Sequence, residues 1–423
     1  MIRKLGMAAL ILIATTMLAG SPVVLGDSWP GYRNLIGDGV SDATLPVTNG
    51  NANLDVLWKA PTGSGFSSFA VDETKAITIG TETENGKKTA RLIAFNRETG
   101  DRLWTFDLAT VDYGRGGGDA GAPGNRGGDG PRTTPRIDGD HVYVFDANMT
   151  VFCVEANNGS LVWKRDLLTQ NEGRNIKWEN ASAPLVTNRI VIVGGGGPGQ
   201  SLLGLDKKTG DVVWAVGDEI ITHASPTLAK IHGKPQAIFF TQSGLVSVGI
   251  QNGEILWRAQ FPFSTSSAAA PVVAGNRVYC SAGYNVGAGL FEVKQDGSVD
   301  ELWFKSNKLM NHWSTPVYKD GYLYGIYEFK KYGKAPLQCV ELSTGKIIWS
   351  ERGFGPGNVI LIGDQLVVLS DSGELVITPA TPDGFAPIAR RKVVSGKCWS
   401  TPAYADGVIY VRSTTEGAAI SVK

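Results

Sequence analysis

A glycine, three further residues and a tryptophan recur through this chain at a nearly fixed interval. The phrase reads RETGDRLW ending at Trp104, NNGSLVW at Trp163, KTGDVVW at Trp214, QNGEILW at Trp257 and STGKIIW at Trp349. DGSVDELW, ending at Trp303, is the same phrase with two extra residues. Successive tryptophans stand 59, 51, 43, 46 and 46 residues apart. One unit of this size cannot bury its own apolar face, so a sustained period means units stacked in a row or in a ring.

A second phrase falls between these marks. TTPRIDGDHVYVF begins at Thr133, SAPLVTNRIVIV at Ser182, SPTLAKIHGKPQAIFF at Ser225 and AAPVVAGNRVYC at Ala269. Its clearest copies, WSTPVYKDGYLYGIY and WSTPAYADGVIYVRS, start 86 residues apart at Trp313 and Trp399. GNVILIGDQLVVL at Gly357 is a degenerate copy. Each unit reads as four short strands joined by Asp-Gly, Asn-Gly or Thr-Gly turns, where the chain needs positive φ. HVYVF, RIVIV, AIFF and QLVVL scarcely alternate with polar residues, so both faces of these strands are covered. No long stretch has a helical apolar period, which excludes helical solenoids.

The pattern predicts an all-β chain: an eight-bladed β-propeller of four-stranded antiparallel blades. After the last copy, TTEGAAISVK supplies a third strand and no fourth. The missing strand is NLDVLWKAP near the N-terminus, with Trp58 at the tryptophan position, so the N-terminal strand closes the last blade and hides its edge. Seven blades is the alternative if the unit at 357–395, with Arg390 near the tryptophan position, is not a blade. Trp58, Trp104, Trp163, Trp214, Trp257, Trp303 and Trp349 are read as structural, filling the gap to the neighbouring blade. Each buries on the order of 150–250 Å², roughly 4–6 kcal/mol gross.

Forty basic residues balance forty acidic ones among 423, with no block of like charge. That leaves no footprint for nucleic acid or an anionic membrane. Arg3 and Lys4 precede the apolar run LGMAALILIATTMLA, and small residues follow. Residues 1–26 are read as a secretory signal, 27–53 as an N-terminal extension and 54–423 as the propeller. An uncleaved anchor is the alternative to the signal. No cysteine follows Leu18–Gly20, so lipid attachment is not expected there. The mature chain is expected to be periplasmic or secreted, with no membrane span. Cys153, Cys280, Cys339 and Cys398 have neither C-x-x-C nor zinc spacing and read as isolated core thiols.

The Thr-Gly-x-x-x-Trp unit resembles the pyrroloquinoline-quinone-type propeller repeat, over about residues 54–423. Quinoprotein alcohol dehydrogenases share such repeats, as does the propeller subunit of the outer-membrane β-barrel assembly machinery. WPGYRNLIGDGVS, Trp29 to Ser41, looks like the opening of secreted single-propeller proteins of this family. The resemblance implies the fold and leaves the activity open.

Ligands of propellers usually meet the face where one blade's fourth strand crosses to the next blade's first. Long loops are expected there: 112–132 between blades one and two, and the second-to-third-strand loops at 194–200, 282–290 and 328–336. The residues just before each first strand should point to the central channel. They are Arg132; Trp178, Glu179 and Asn180; His223; Ser266 and Ser267; Asn311, His312 and Trp313; then Lys397 and Trp399. This polar, aromatic-edged ring is the candidate binding site; the competing reading is a hydrogen-bonded plug of the channel mouth.

The resemblance to quinoproteins implies a quinone held between a tryptophan and vicinal cysteines, beside a calcium and a catalytic aspartate. Glu179 and Asn180 have hard-cation chemistry. However, no two cysteines are adjacent and no aspartate stands in the ring. GGGGPGQ lacks the Gly-Lys-Ser/Thr of a phosphate loop, and no hydrolase motif occurs. The expectation is a non-catalytic extracytoplasmic scaffold binding a protein partner or small ligand in the cell envelope, without cofactor or metal. A dehydrogenase-like quinoprotein using pyrroloquinoline quinone with calcium is one alternative, and an outer-membrane assembly subunit is the other.

Overall fold

The computed structural model describes residues 28–47, 52–109, 130–328 and 333–423. The expected signal at 1–26, residues 112–129 of the long loop and residues 329–332 of the 328–336 loop lie outside them.

Eight antiparallel sheets follow one another along the chain. Blades 1 to 7 span 70–107, 136–166, 185–216, 227–259, 272–306, 317–351 and 358–392; blade 8 joins 403–422 to Leu54–Pro61. The unit at 357–395 is a full blade, with Ala389–Lys392 paired to Glu374–Pro379. Closure is as expected: Leu54–Pro61 runs antiparallel to the last strand, from Leu54 opposite Val422 to Pro61 opposite Glu416. The 282–290 loop is shorter than expected, because its strand already starts at Gly287.

The recurring tryptophan has a recurring mechanism. Next to each one the ladder to the preceding strand slips by one residue, so the residue before the indole is bulged. Blade 7, with Arg390 in place of tryptophan, keeps an unbroken ladder. A bulge bends and twists the strand, and here the indole reaches the neighbouring blade. Trp58, Trp104, Trp163, Trp214, Trp303 and Trp349 donate their indole N–H to Arg97, Ala156, Lys207, Ile250, Leu342 and Thr381 carbonyls, at 2.8–3.2 Å, each in the last turn of the next blade. Trp257 bonds instead to Gln236 Oε1 of its own blade, at 2.6 Å; the next blade's turn is the one with two extra residues. The bulge leaves aliphatic residues such as Leu57 and Val213 about half exposed on the outer rim, and it also interrupts a strand edge that could otherwise pair with another chain.

The extension at 27–53 does not merely precede the ring. Its residues 29–41 enter the channel and are held by the innermost strands of five blades. Trp29 exchanges two backbone bonds with Val71 of blade 1, both 2.8 Å, and Pro30 accepts from Ile137 of blade 2. Ile36 accepts from Leu228 of blade 4. Arg33, fully buried, donates to Pro316 O at 3.0 Å and Val359 O at 3.1 Å, joining blades 6 and 7. Val40–Ser41 then adds a short parallel strand to the inner edge of blade 7. The plug therefore blocks the channel opposite the mouth. Among the described residues no helix is long and apolar enough to cross a membrane.

Candidate functional site

Aligning the blades on the residue three positions before the first-strand proline places Arg132, His223, Trp313 and Trp399 at one level of the channel mouth. Phe66, in FSSF, occupies the same register and was missed because its proline is replaced by Phe69. Below them runs a partial hoop of hydroxyl bonds between blades. Ser68 N donates to Thr134 Oγ1, Ala183 N to Ser225 Oγ, Ala270 N to Thr315 Oγ1 and Thr401 N to Ser68 Oγ, all 2.9–3.0 Å. This hoop is the reason the Ser/Thr-Pro phrase recurs: the hydroxyl ties a blade to its neighbour.

One half of the mouth is an aromatic column. Phe66 stacks on Trp399 at 4.9 Å between centroids, and Trp399 on Trp313 at 4.2 Å. His312 leans on Trp313 at 4.7 Å, with Tyr284 edge-on to His312 at 5.2 Å. Trp313 is fixed by a bond from its indole N–H to Pro356 O, 2.8 Å, and Lys397 Nζ sits 4.7 Å above Trp399. Such offset stacks are worth about 0.5–1.5 kcal/mol per pair beyond area burial.

The other half is polar. Arg132 donates to Trp178 O at 2.5 Å, and Lys177 Nζ lies 4.6 Å over the Trp178 ring. His223 is buried; its Nε2 faces Lys177 O at 2.9 Å and its Nδ1 faces Ser266 Oγ at 3.0 Å. A carbonyl only accepts, so the proton is assigned to Nε2 and the Ser266 hydroxyl donates to Nδ1. Burial, then the nearby Arg132 charge, lowers the His223 pKa to about 4, so the ring is neutral at physiological pH. Burial raises the Glu179 pKa, against the opposing pull of Arg132 and of Asn175, which donates to its carboxylate at 2.5 Å.

Two of the ring residues turn away from the opening. Asn180 donates to the Phe145, Asp146 and Ser182 carbonyls and accepts from Ser182 N. Asn311 accepts from the Tyr279 hydroxyl and donates to Ile326 O. Both are buried and hold loops in place. Around the opening, non-glycine residues adopt left-handed backbone: Trp178 (φ 68°), Glu179 (63°), Thr265 (52°) and Tyr284 (54°). For a β-branched residue such as Thr265 this is unusual, and such strain concentrates at sites that bind.

A quinone held flat does not fit here. Both faces of Trp399 are taken by the protein's own rings, and Trp313 is flanked by Trp399 and His312. The four cysteines are buried and unpaired, in different blades or linkers. Asn180 is committed to backbone, separating it from the Glu179 carboxylate, and no cluster of three His, Cys, Asp or Glu side chains able to hold a metal occurs among the described residues.

Residues 88–351 match the family described as outer membrane protein assembly factor BamB. The chain belongs to this family. A BamB from Moranella endobia (strain PCIT) is 23% identical over 253 residues, covering 58% of this chain and 50% of that protein. The chain thus matches only half the length of that relative. A BamB from Yersinia pestis is 21% identical over 386 residues, covering 79% of this chain and 91% of that protein. The quinohemoprotein alcohol dehydrogenase structure from Comamonas testosteroni superposes with a TM-score of 0.67 at 12% identity, over 93% of this chain and 80% of that one. At that identity the likeness is one of fold. At the mouth, this chain fills the space beside Trp399 with its own rings.

Proposed function

We propose that this BamB-family propeller is an extracytoplasmic binding scaffold without chemistry of its own, which holds a segment of a partner protein across its channel mouth. The observation that carries this reading is the self-filled aromatic column. It presents a fixed wall of ring edges opposite Arg132, Lys177 and Glu179, an arrangement suited to a partner surface and unsuited to a planar cofactor. The plug of residues 29–41 supports it, since a channel closed on the far side works as a docking bowl and not as a pore. The relatives' role as outer membrane protein assembly factors makes a polypeptide the favoured occupant and the periplasm the favoured compartment.

The test is a photo-crosslinking residue at Tyr284, beside the column, in wild type and in the His312→Ala, Trp313→Ala, Glu179→Ala triple variant. The triple variant should still melt in one cooperative transition, at a somewhat lower temperature, and lose the crosslinked adduct. An adduct that survives the triple change would place the partner elsewhere.

A further inference from the structure

A cleft separates the outer strand of blade 5 from blade 6. It runs from the turn at Gly345, past Ile347, to Met310 and Glu328 at the mouth face. Lys305 and Lys308 stand along one wall, and Leu309, Met310 and Tyr327 line the floor. At the mouth end Met310, Tyr327 and Glu328 also border a narrow slot under His312 and Trp313, too small to admit a side chain. Ser314 lines that slot; its Oγ is buried, with the residue only 4% exposed, and has no hydrogen-bond partner among the described residues.

The cleft is built with effort. Asn307, Leu309 and Glu328 all hold left-handed backbone, at φ 55°, 52° and 60°, which disfavours side-chain-bearing residues. Leu309 is fixed there because its carbonyl accepts the Ser281 hydroxyl at 2.7 Å. Among the described lining residues Glu328 is the one acid, against two lysines. Lysines towards one end and an apolar floor towards the other complement an occupant whose acidic groups precede its apolar ones.

We infer that this cleft receives an extended peptide segment with acidic residues preceding apolar ones, contributed by the partner that sits on the mouth; the inference rests on the scaffold reading above. The acidic side chains lie against Lys305 and Lys308, and the apolar ones over Leu309 and Met310.

The test uses the whole mature protein and a fluorescein-labelled ten-residue peptide in which two glutamates precede Leu-Phe-Leu, with a twin carrying lysines for the glutamates. Fluorescence anisotropy at low salt should show the acidic probe bound and the lysine twin not bound. Lys305→Glu with Lys308→Glu should weaken the acidic probe about tenfold, the scale of two partly screened charge pairs, and should let the lysine twin bind. If the acidic probe binds no better than its twin, or is indifferent to the charge reversal, the cleft assignment falls, whatever the crosslink at the mouth does. If the probe switches with the charge reversal while the triple mouth variant keeps its adduct, the mouth reading falls and the cleft stands.

Discussion

Gly210, in the last turn of blade 3, lies against the indole of Trp163 from blade 2, and a Cβ built on it would come within 2.6 Å of Cε3. Gly100 against Trp58, Gly159 against Trp104 and Gly253 against Trp214 repeat the contact at 2.5–2.7 Å. In these four phrases the glycine therefore serves the tryptophan of the preceding blade, whereas Gly297 meets no indole and Gly345 meets Lys305 first. Gly139 has the same backbone hand, φ 59°, with nothing within 4 Å of its Cβ position. Gly139→Ala should lose only the conformational term, about 1–2 kcal/mol. Gly210→Ala should lose about 1–3 kcal/mol more, because the indole must move. Urea unfolding of the two variants checks this, and equal losses would mean the indole contact is not confining.

Arg33 is the residue that locks the plug. Replacing it with methionine keeps much of the volume and leaves the Pro316 and Val359 carbonyls without its N–H groups. Leu361 N and Gly363 N donate to Gly39 O and Ser41 O of the plug. Their amide exchange should accelerate by about tenfold or more, the equivalent of about 1.4 kcal/mol, while amides in blade 3 stay protected. Unchanged exchange at Leu361 would show that the plug is held without Arg33.

The blades were legible because their information is local and repeated: turn glycine, tryptophan and apolar strand recur within each unit. Even the closing strand could be found, since Trp58 carries the signature. The plug could not be found, because Trp29 to Ser41 has no repeat and its bonds span up to 326 residues, from Arg33 to Val359. At the mouth, register named the positions and not the directions. Asn180 and Asn311 sit where the ring was expected and turn into the blades, because buried amides there satisfy backbone carbonyls. Phe66 was recoverable: reading FSSF against WSTP would have placed it beside Trp399.

Acid stability carries two opposed contributions. Asp146 is 3% exposed, and burial raises its pKa to about 7 against the lowering bonds from Thr150 and Asn148. With the folded value above the unfolded one, its contribution is full below about pH 4 and is lost as pH rises to about 7. His223 is the reverse: its folded value of about 4 lies below the ordinary one, so its contribution holds above about 6.5 and is lost as pH falls. Between pH 4 and 6.5 the two slopes, each about 1.4 kcal/mol per pH unit, offset one another. Relative to wild type, Asp146→Asn should gain stability as pH rises through this window, and His223→Gln should lose it. Urea titrations at pH 4.5, 5.5 and 6.5 would show the divergence; parallel profiles would remove both assignments.

Ring closure depends on Trp58 and its strand. Trp58 packs among Phe69, Phe95 and Tyr410, at 6.1–6.3 Å between centroids, and bonds to Arg97 O of blade 1. Trp58→Ala should cost about 3–5 kcal/mol, the range for a buried large aromatic. Deleting 54–61 should go further and expose the edge of Glu416–Val422, with lower melting temperature and concentration-dependent aggregation. A deletion variant that melts like wild type would mean that the ring does not close through this strand.

The two tryptophans of the column should separate stability from binding. Trp399 is buried, with Phe66 on one face and Trp313 on the other. Trp313 is half-buried and forms the outer member of that pair, with an indole bond to Pro356 O. Trp399→Ala should therefore cost about 3–5 kcal/mol, while Trp313→Ala costs about half as much. Partner capture should respond in the opposite order, because Trp313 and the neighbouring His312 form the accessible edge. The same geometry predicts that wild type dialysed against pyrroloquinoline quinone and calcium keeps no quinone absorbance, since neither face of Trp399 is open to it. Retained quinone, or a Trp313→Ala protein that binds its partner as wild type does, would mean that the column is not the wall on which the partner rests.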